Sequence, residues 1–219
     1  MKKHSWLLWL FAGLMYLPCR SQIDQEATRL THYVLPAFTA GKVLLKNGSV
    51  SQQMLNYNVL TSEMIFDAGG EKYMAIADPA SVDTVYLGDR KFIPSRKGFA
   101  ELVYLGKYPL VIVYEGRVVE QGEDIGFGIS SQAGASQALK TMVQNGSSYG
   151  MKLPDGFQVC LMEQYATGSN VDWEKFSSFN ALAKLISAKK QVINEAVKTK
   201  KLDFKNRKDM LELFRLINE

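Results

Sequence analysis

The chemistry open to a chain is bounded by the side chains it owns, and histidine sets the first bound here. The sequence holds 2 histidines, His4 and His32. His4 falls in an N-terminal segment that reads as an export signal, which leaves one imidazole. That excludes the common His-based metal sites, H-E-x-x-H among them, and serves a Ser-His-Asp scheme badly. Gly134-Ala-Ser136-Gln-Ala138 approximates a nucleophile elbow, but a Gly/Ser stretch precedes it instead of a buried strand, and His32 comes earlier in the chain instead of later. Ser136 reads better as the N-cap of a short helix running to Gln144. Ser187-Ala-Lys-Lys190 matches S-x-x-K without S-D-N or K-T-G. Gly126-Phe-Gly128 lacks the third glycine and the strand-to-helix setting of a dinucleotide site. No P-loop, EF-hand loop or C-x-x-C occurs. The expectation is no metal, no cofactor and no assigned catalytic residue.

Carboxylates are harder to dismiss. Glu63, Asp67, Asp83, Asp89, Glu101, Glu115 and Glu163 fall on or beside strand-like runs. Two of them about 5–10 Å apart would serve a glycosidase, and spacing alone does not place them. Asn56-Tyr57-Asn58 puts two amides and a phenol at a strand end, and Asp83, Arg90 and Phe92 bracket a hairpin whose turn is Gly88-Asp89-Arg90. Tyr57, Asp89 and Arg90 are therefore the candidate ligand-binding residues. The plainer alternative has the amides capping backbone, Asp pairing with Arg, and Tyr57 in the core. Cys160, in FQVCLMEQY, reads as a buried thiol acting as a small hydrophobe, since no basic neighbour is there to activate it.

Elements must position these residues. From about Val43 to Val119 the pattern is strand after strand. KVLLK and SVSQQMLNYN flank Asn47-Gly48, a strong hairpin signal. MIF and KYMAIA flank Asp67-Ala-Gly-Gly70. VDTVYL and KFIP flank Gly88-Asp89-Arg90, and FAELVYL and LVIVYEGRVV flank Gly106-Lys-Tyr-Pro109. Short strands with regular turn signals predict an antiparallel sandwich or open barrel. No helical pattern separates them, which argues against a parallel sheet.

Residues 121–150 break the rhythm with a Gly/Ser-rich stretch, expected to be a long surface loop or a loop that covers a ligand. A last hairpin, MKL and FQVCLMEQY around Pro154-Asp-Gly156, is expected next. From Asp172 apolar residues recur at three and four: Trp173, Phe176, Phe179, Leu182, Ile186. Val192, Ile193, Ala196 and Val197 form a second stripe. Asn206 reads as an N-cap with Asp209 at N3, and Met210, Leu213, Phe214 and Ile217 line the helix that follows. The class is α+β: a β domain over 22–168, then a small helical C-terminal region over 169–219. Lys198, Lys200, Lys201, Lys205, Arg207 and Lys208 gather in that tail, as a solvated rim or as a patch facing anionic envelope material.

The N-terminus carries the address. Lys2, Lys3 and His4 precede an apolar run from Trp6 to Leu17, far short of the roughly 20 residues that span a bilayer. A charged start, a short apolar core and small residues before a cut make residues 1–21 a signal peptide. Cys19 and Ser21 then sit at −3 and −1 of a cut before Gln22. The rival makes Cys19 the lipidated first residue of a lipoprotein, against which stand Pro18 directly before it and Tyr16 at the usual Leu position. Removal of Lys2, Lys3 and Arg20 takes the basic residues from 26 to 23 against 22 acids, so a net charge of +4 falls to +1. The case for a nucleic-acid partner falls with it. With Cys19 gone, Cys160 has no intramolecular disulfide partner.

These residues, together with Tyr33-Val-Leu-Pro36 and Gly41-Lys-Val43, make a pattern of G-x-V, N-Y-N, E-M-x-F, D-T-V and R-x-F ahead of the tail LDFKNRKDMLELFRLIN. In this the chain resembles an uncharacterised family of exported proteins from Bacteroidota, over nearly the whole mature sequence. The resemblance implies export to the periplasm or beyond and brings no catalytic residue. The reading is an exported, non-catalytic envelope module that binds a protein or glycan and does not span the membrane once cleaved. The alternative is a carboxylate-dependent, glycosidase-like hydrolase of envelope or dietary polymers. Intact-mass measurement on protein from its own cells is expected to give a chain beginning at Gln22; an acylated Cys19 at the N-terminus would overturn the cleavage site.

Overall fold

The computed structural model describes residues 32–70, 72–120, 149, 157–169 and 171–219. The expected signal segment 1–21 with Cys19, the strand MKL, and all but Tyr149 of the stretch 121–150, Ser136 included, lie outside the described residues.

Four of the turns predicted from sequence join the strands they should; the fifth, at Pro154-Asp-Gly156, lies outside the described residues. β1 (Thr39–Leu45) and β2 (Val50–Asn58) flank Asn47-Gly48. β3 (Glu63–Asp67) and β4 (Tyr73–Ala75) flank Gly69-Gly70. β5 (Val82–Leu87) and β6 (Arg90–Ser95) flank Gly88-Asp89, and β7 (Gly98–Tyr104) and β8 (Leu110–Glu120) flank Gly106 to Pro109. β9 (Phe157–Ser169) and β10 (Asp172–Lys175) follow, then α1 (Phe179–Leu185), α2 (Lys190–Lys200) and α3 (Arg207–Asn218). All ten strands form one antiparallel sheet in the order β10-β9-β8-β7-β6-β5-β1-β2-β3-β4. The fold is α+β, an antiparallel sheet followed by a small helical region.

The sheet is rolled into an open barrel. In a flat sheet β2 and β8 would lie about 24 Å apart across five strand spacings. Instead the rings of Tyr57 on β2 and Tyr114 on β8 have centroids 6.3 Å apart, and Gly116 N donates to Val59 O at 3.2 Å. Twist and coiling bring the β2–β3 end over β7–β8. The enclosed core includes Leu55, Tyr57, Val85, Phe92, Phe99 and Tyr114. A bulge helps to fill it. Leu44 faces Thr84 but Leu45 faces Val82, so Asp83 is extra, and both Val82 and Val85 become fully buried.

The helices bury a second core around Leu182, Ile193, Met210, Leu213, Phe214 and Ile217, and Val103 and Tyr165 pack against both cores. The cap is thus an extension of the barrel interior. Asn206 caps α3 as predicted, its Oδ1 accepting from Lys208 N at 2.9 Å. Asp209 does not close a capping box; its Oδ2 accepts from Asp203 N at 2.8 Å and orders the preceding turn. Asn218 fixes the other end of α3 by accepting from Tyr108 N and donating to Tyr108 O, at 2.8 and 2.9 Å.

Two expectations are corrected. Cys160 is exposed: it stands opposite Arg117 on the outer face of β9, and nothing described covers that face there. β9 pairs with β8, from Val111–Ala166 to Glu120–Phe157, and with β10 at its far end; the local hairpin expected with MKL lies outside the described residues. Trp173 is on β10, not on a helix, and packs with Ala100, Val111 and Ala166 against the outside of the sheet. Gly168 permits this fold-back, since a Cβ there would stand 2.2 Å from Asp172 O.

Gly98 joins the barrel's two halves. Its φ is +95°, and a Cβ would lie 1.8 Å from Ser62 O; Ser62 itself sits at φ +59°. Gly98→Ala is expected to destabilise by about 2–4 kcal/mol, from left-handed strain and the clash together, as read from the midpoint of urea unfolding. An unchanged midpoint would mean that the two turns do not need their observed contact.

Candidate functional site

Alternation along β7 puts Glu101 on the inward face with Phe99 and Val103. It is fully buried. Oε2 accepts from Arg90 Nη2 at 2.6 Å and from Tyr114 Oη at 2.5 Å, and Oε1 accepts from Arg207. Arg90 also contacts Tyr114, and its guanidinium lies 5.3 Å from the ring centroids of Phe92 and of Tyr114, a cation–π arrangement. Burial opposes ionisation of Glu101, but the hydrogen bonds from Arg90, Tyr114 and Arg207 outweigh it and hold the carboxyl below the ordinary carboxylate range. Burial, with the Glu101 charge next, pushes the Tyr114 phenol far up. Arg90 comes from the barrel and Arg207 from the first residue of α3, so one carboxylate ties the two together.

Beside this network a groove of about 620 Å³ opens between β9 and the α2–α3 turn. Ile112, the partner of Glu101 across β7–β8, lies in it and is itself buried. Tyr165, Phe176 and Phe204 supply aromatic surface, with Phe204 edge-on to both others at 5.6 and 6.0 Å between centroids. Glu163, Lys175 and Lys205 supply charge. Lys175 is paired with Glu115; among the described residues Glu163 and Lys205 have no ion pair. Burial pushes the Tyr165 phenol up, and the positive Arg207 works against that.

The predicted binding residues scatter. Arg90 is in the network. Tyr57 is buried in the barrel, stacked on Phe92 at 5.7 Å and edge-on to Tyr114, so it touches the network only through Tyr114. Asp89 is exposed in the β5–β6 turn. Asp83, a suggested partner for Arg90, instead accepts from the Thr84 hydroxyl. From sequence Glu101 is one strand carboxylate among several and Arg207 one member of a basic tail, and nothing local singles out Tyr114. The usable signal was a charge at the inward position of FAELV. Among the described residues no group of three or more His, Cys, Asp and Glu could hold a metal.

A second polar cluster staples the chain at the other end of the barrel. Tyr33 Oη donates to Tyr149 O at 2.6 Å, and Tyr149 Oη donates to Glu63 at 2.8 Å. Burial, then Glu63, pushes the Tyr149 phenol up to about 12. His32 is buried, and that burial lowers its pKa. Asn56 Nδ2 holds Leu35 O and Ala37 O at 2.9 and 3.2 Å, while its Oδ1 accepts from Leu35 N at 3.0 Å. These contacts are those of a structural tether.

No family model matches the chain, and no curated protein or solved structure matches it.

Because the folded carboxyl of Glu101 titrates below the unfolded value of about 4.3, its stabilisation is complete above that value and is lost as pH falls through the folded value. Glu101→Gln is expected to cost about 3–5 kcal/mol near neutrality, with the penalty shrinking as urea titrations move from about pH 7 to about pH 3. A penalty constant across that range would show that the charge is not what holds the network.

Proposed function

We propose that this protein is an exported, non-catalytic binding module that holds a segment of glycan in the groove between β9 and the α2–α3 turn. The observation that carries the reading is the pairing of aromatic surface from Tyr165 and Phe204 with uncommitted polar groups, Glu163, Gln164 and Lys205, around one recess. A sugar ring presents C–H faces, which suit aromatic faces, and equatorial hydroxyls, which suit carboxylate, amide and ammonium partners. Aromatic surface combined with convergent polar groups in one recess is a composition that suits a ligand site.

The hydrolase alternative gains less support. A glycosidase acid must be protonated at working pH, whereas Glu101, the buried carboxylate beside the groove, is held ionised by two guanidiniums. Export rests on the N-terminal pattern, and the absence of a long apolar helix among the described residues is compatible with it.

The test is retention by a panel of immobilised polysaccharides, comparing wild type with Phe204→Ala. At least one polysaccharide is expected to retain the wild type and to lose about tenfold in affinity with the variant. Equal behaviour of the two proteins on every member of the panel would overturn the groove as the binding site. Release of reducing ends during the incubation would overturn the non-catalytic assignment.

A further inference from the structure

The distribution of charge names the class of glycan. Residues 176–219 hold ten Lys and Arg against five Asp and Glu, while residues 22–175 hold thirteen against seventeen. The cap is therefore strongly basic on a body that is mildly acidic, and the whole-chain balance conceals this asymmetry. Around the α2–α3 turn Lys198, Lys201, Lys205 and Lys208 are all exposed, and among the described residues none of the four has an ion-pair partner. Lys200 is paired, with Glu212 at 2.7 Å.

Helix electrostatics explain some of these positions and not others. Lys198 and Lys200 end α2, where cations suit the helix dipole. Arg207 and Lys208 open α3, where cations oppose it. For Arg207 the buried Glu101 offsets that cost. Among the described residues Lys208 has no ion-pair partner, and Lys205 lines the groove without one, in the company of Glu163. Fold stability supplies no reason for cations at these places, whereas an anionic ligand would.

We infer that the groove takes an acidic polysaccharide, with a uronic-acid backbone lying on Tyr165 and Phe204 and its neighbouring carboxylates reaching Lys205 and the exposed lysines of the α2–α3 turn. This rests on the glycan-binding reading above. A charged lipid surface fits less well. Membrane-surface binding needs apolar side chains projecting among the lysines, and among the described residues Leu185 is the one exposed large apolar residue of the cap.

The experiment titrates the purified protein with polygalacturonate and with its fully methyl-esterified form, which keeps the sugar faces and removes the charge. Polygalacturonate is expected to bind more tightly, by about tenfold or more at low salt, with the advantage fading as salt is raised. Lys198→Gln/Lys201→Gln/Lys208→Gln, which leaves the groove intact, is expected to lower polygalacturonate affinity by about tenfold while the esterified polymer binds as before. Phe204→Ala should weaken both. Equal, salt-insensitive binding of the two polymers would overturn the acidic assignment and leave the groove reading standing. Polygalacturonate binding that ignores Phe204→Ala would overturn it as mere surface electrostatics. No binding of polygalacturonate, with or without binding to vesicles of phosphatidylglycerol, would also overturn it, and the polysaccharide panel then decides separately whether any glycan uses the groove.

Discussion

A carboxylate removed from water must be neutralised or paired, and the way Glu101 meets that requirement ties the start of α3 to the barrel. Its two oxygens are shared among Arg90, Tyr114 and Arg207. Arg90 and Tyr114 belong to strands adjoining β7, so that half of the network forms as soon as the sheet does. Arg207 belongs to the cap. Until α3 docks, one carboxylate oxygen faces an unfilled space, and burying it unpaired costs several kcal/mol. An apolar residue in place of Glu101 would pack against Phe99 and Val103 and escape that cost. It would also give Arg207 no reason to point inward. What the charge contributes is placement, because an ion pair fixes position and direction where a greasy contact fixes neither.

The far end of α3 is held by different chemistry. Asn218 makes a two-way hydrogen bond with the Tyr108 backbone, and a side chain at Gly106 would collide with it, a Cβ there lying 2.5 Å from Asn218 Oδ1. Between these anchors Met210, Leu213, Phe214 and Ile217 bury completely, each such side chain contributing about 1.5–3 kcal/mol. The helix is therefore fixed at both ends and along its length. Phe204 lies just before it, in a turn ordered by Asp209. A groove wall on a loop inherits in this way the rigidity of a helix, which is the condition for a site whose shape survives without ligand.

Local information was legible in the sequence and remote information was not. Every hairpin whose turn residues could be read, from Asn47-Gly48 to Gly106–Pro109, forms as read, because a turn and its flanking alternation are encoded within about fifteen residues. The pairing of β8 with β9 spans a long intervening stretch that carries no pairing signal. Cys160 was misplaced because alternation reports which side of a strand a residue is on, and whether that side is covered depends on the rest of the molecule. Trp173, Phe176 and Phe179 have helical spacing, yet Trp173 lies in a strand; a short apolar run fits either period until its length is known. Arg90 was picked out for a neighbouring aspartate and turned out to serve Glu101. Glu101 itself was legible as a charge at an inward position. Its partner Arg207, 106 residues away, was not, since only the rolled sheet and docked helix bring the two together.

Arg207 links the barrel to the turn that walls the groove. A guanidinium has five N–H donors in a fixed fork, and the contact with Glu101 leaves donors on its exposed side: the side chain is 48% exposed while that of Glu101 is 1%. The position of the guanidinium is set by Glu101, which Arg90 and Tyr114 hold from behind. The ordering cost of that arginine is met on folding and not on binding. The same arrangement makes occupancy and stability mutually dependent. Any ligand that uses Arg207 in its docked position binds the folded cap better than the unfolded one, and so must raise its stability by mass action. Protonation of Glu101 would free Arg207 at the start of α3, while Asp209, Asn218 and the buried apolar face go on holding the turn and the helix.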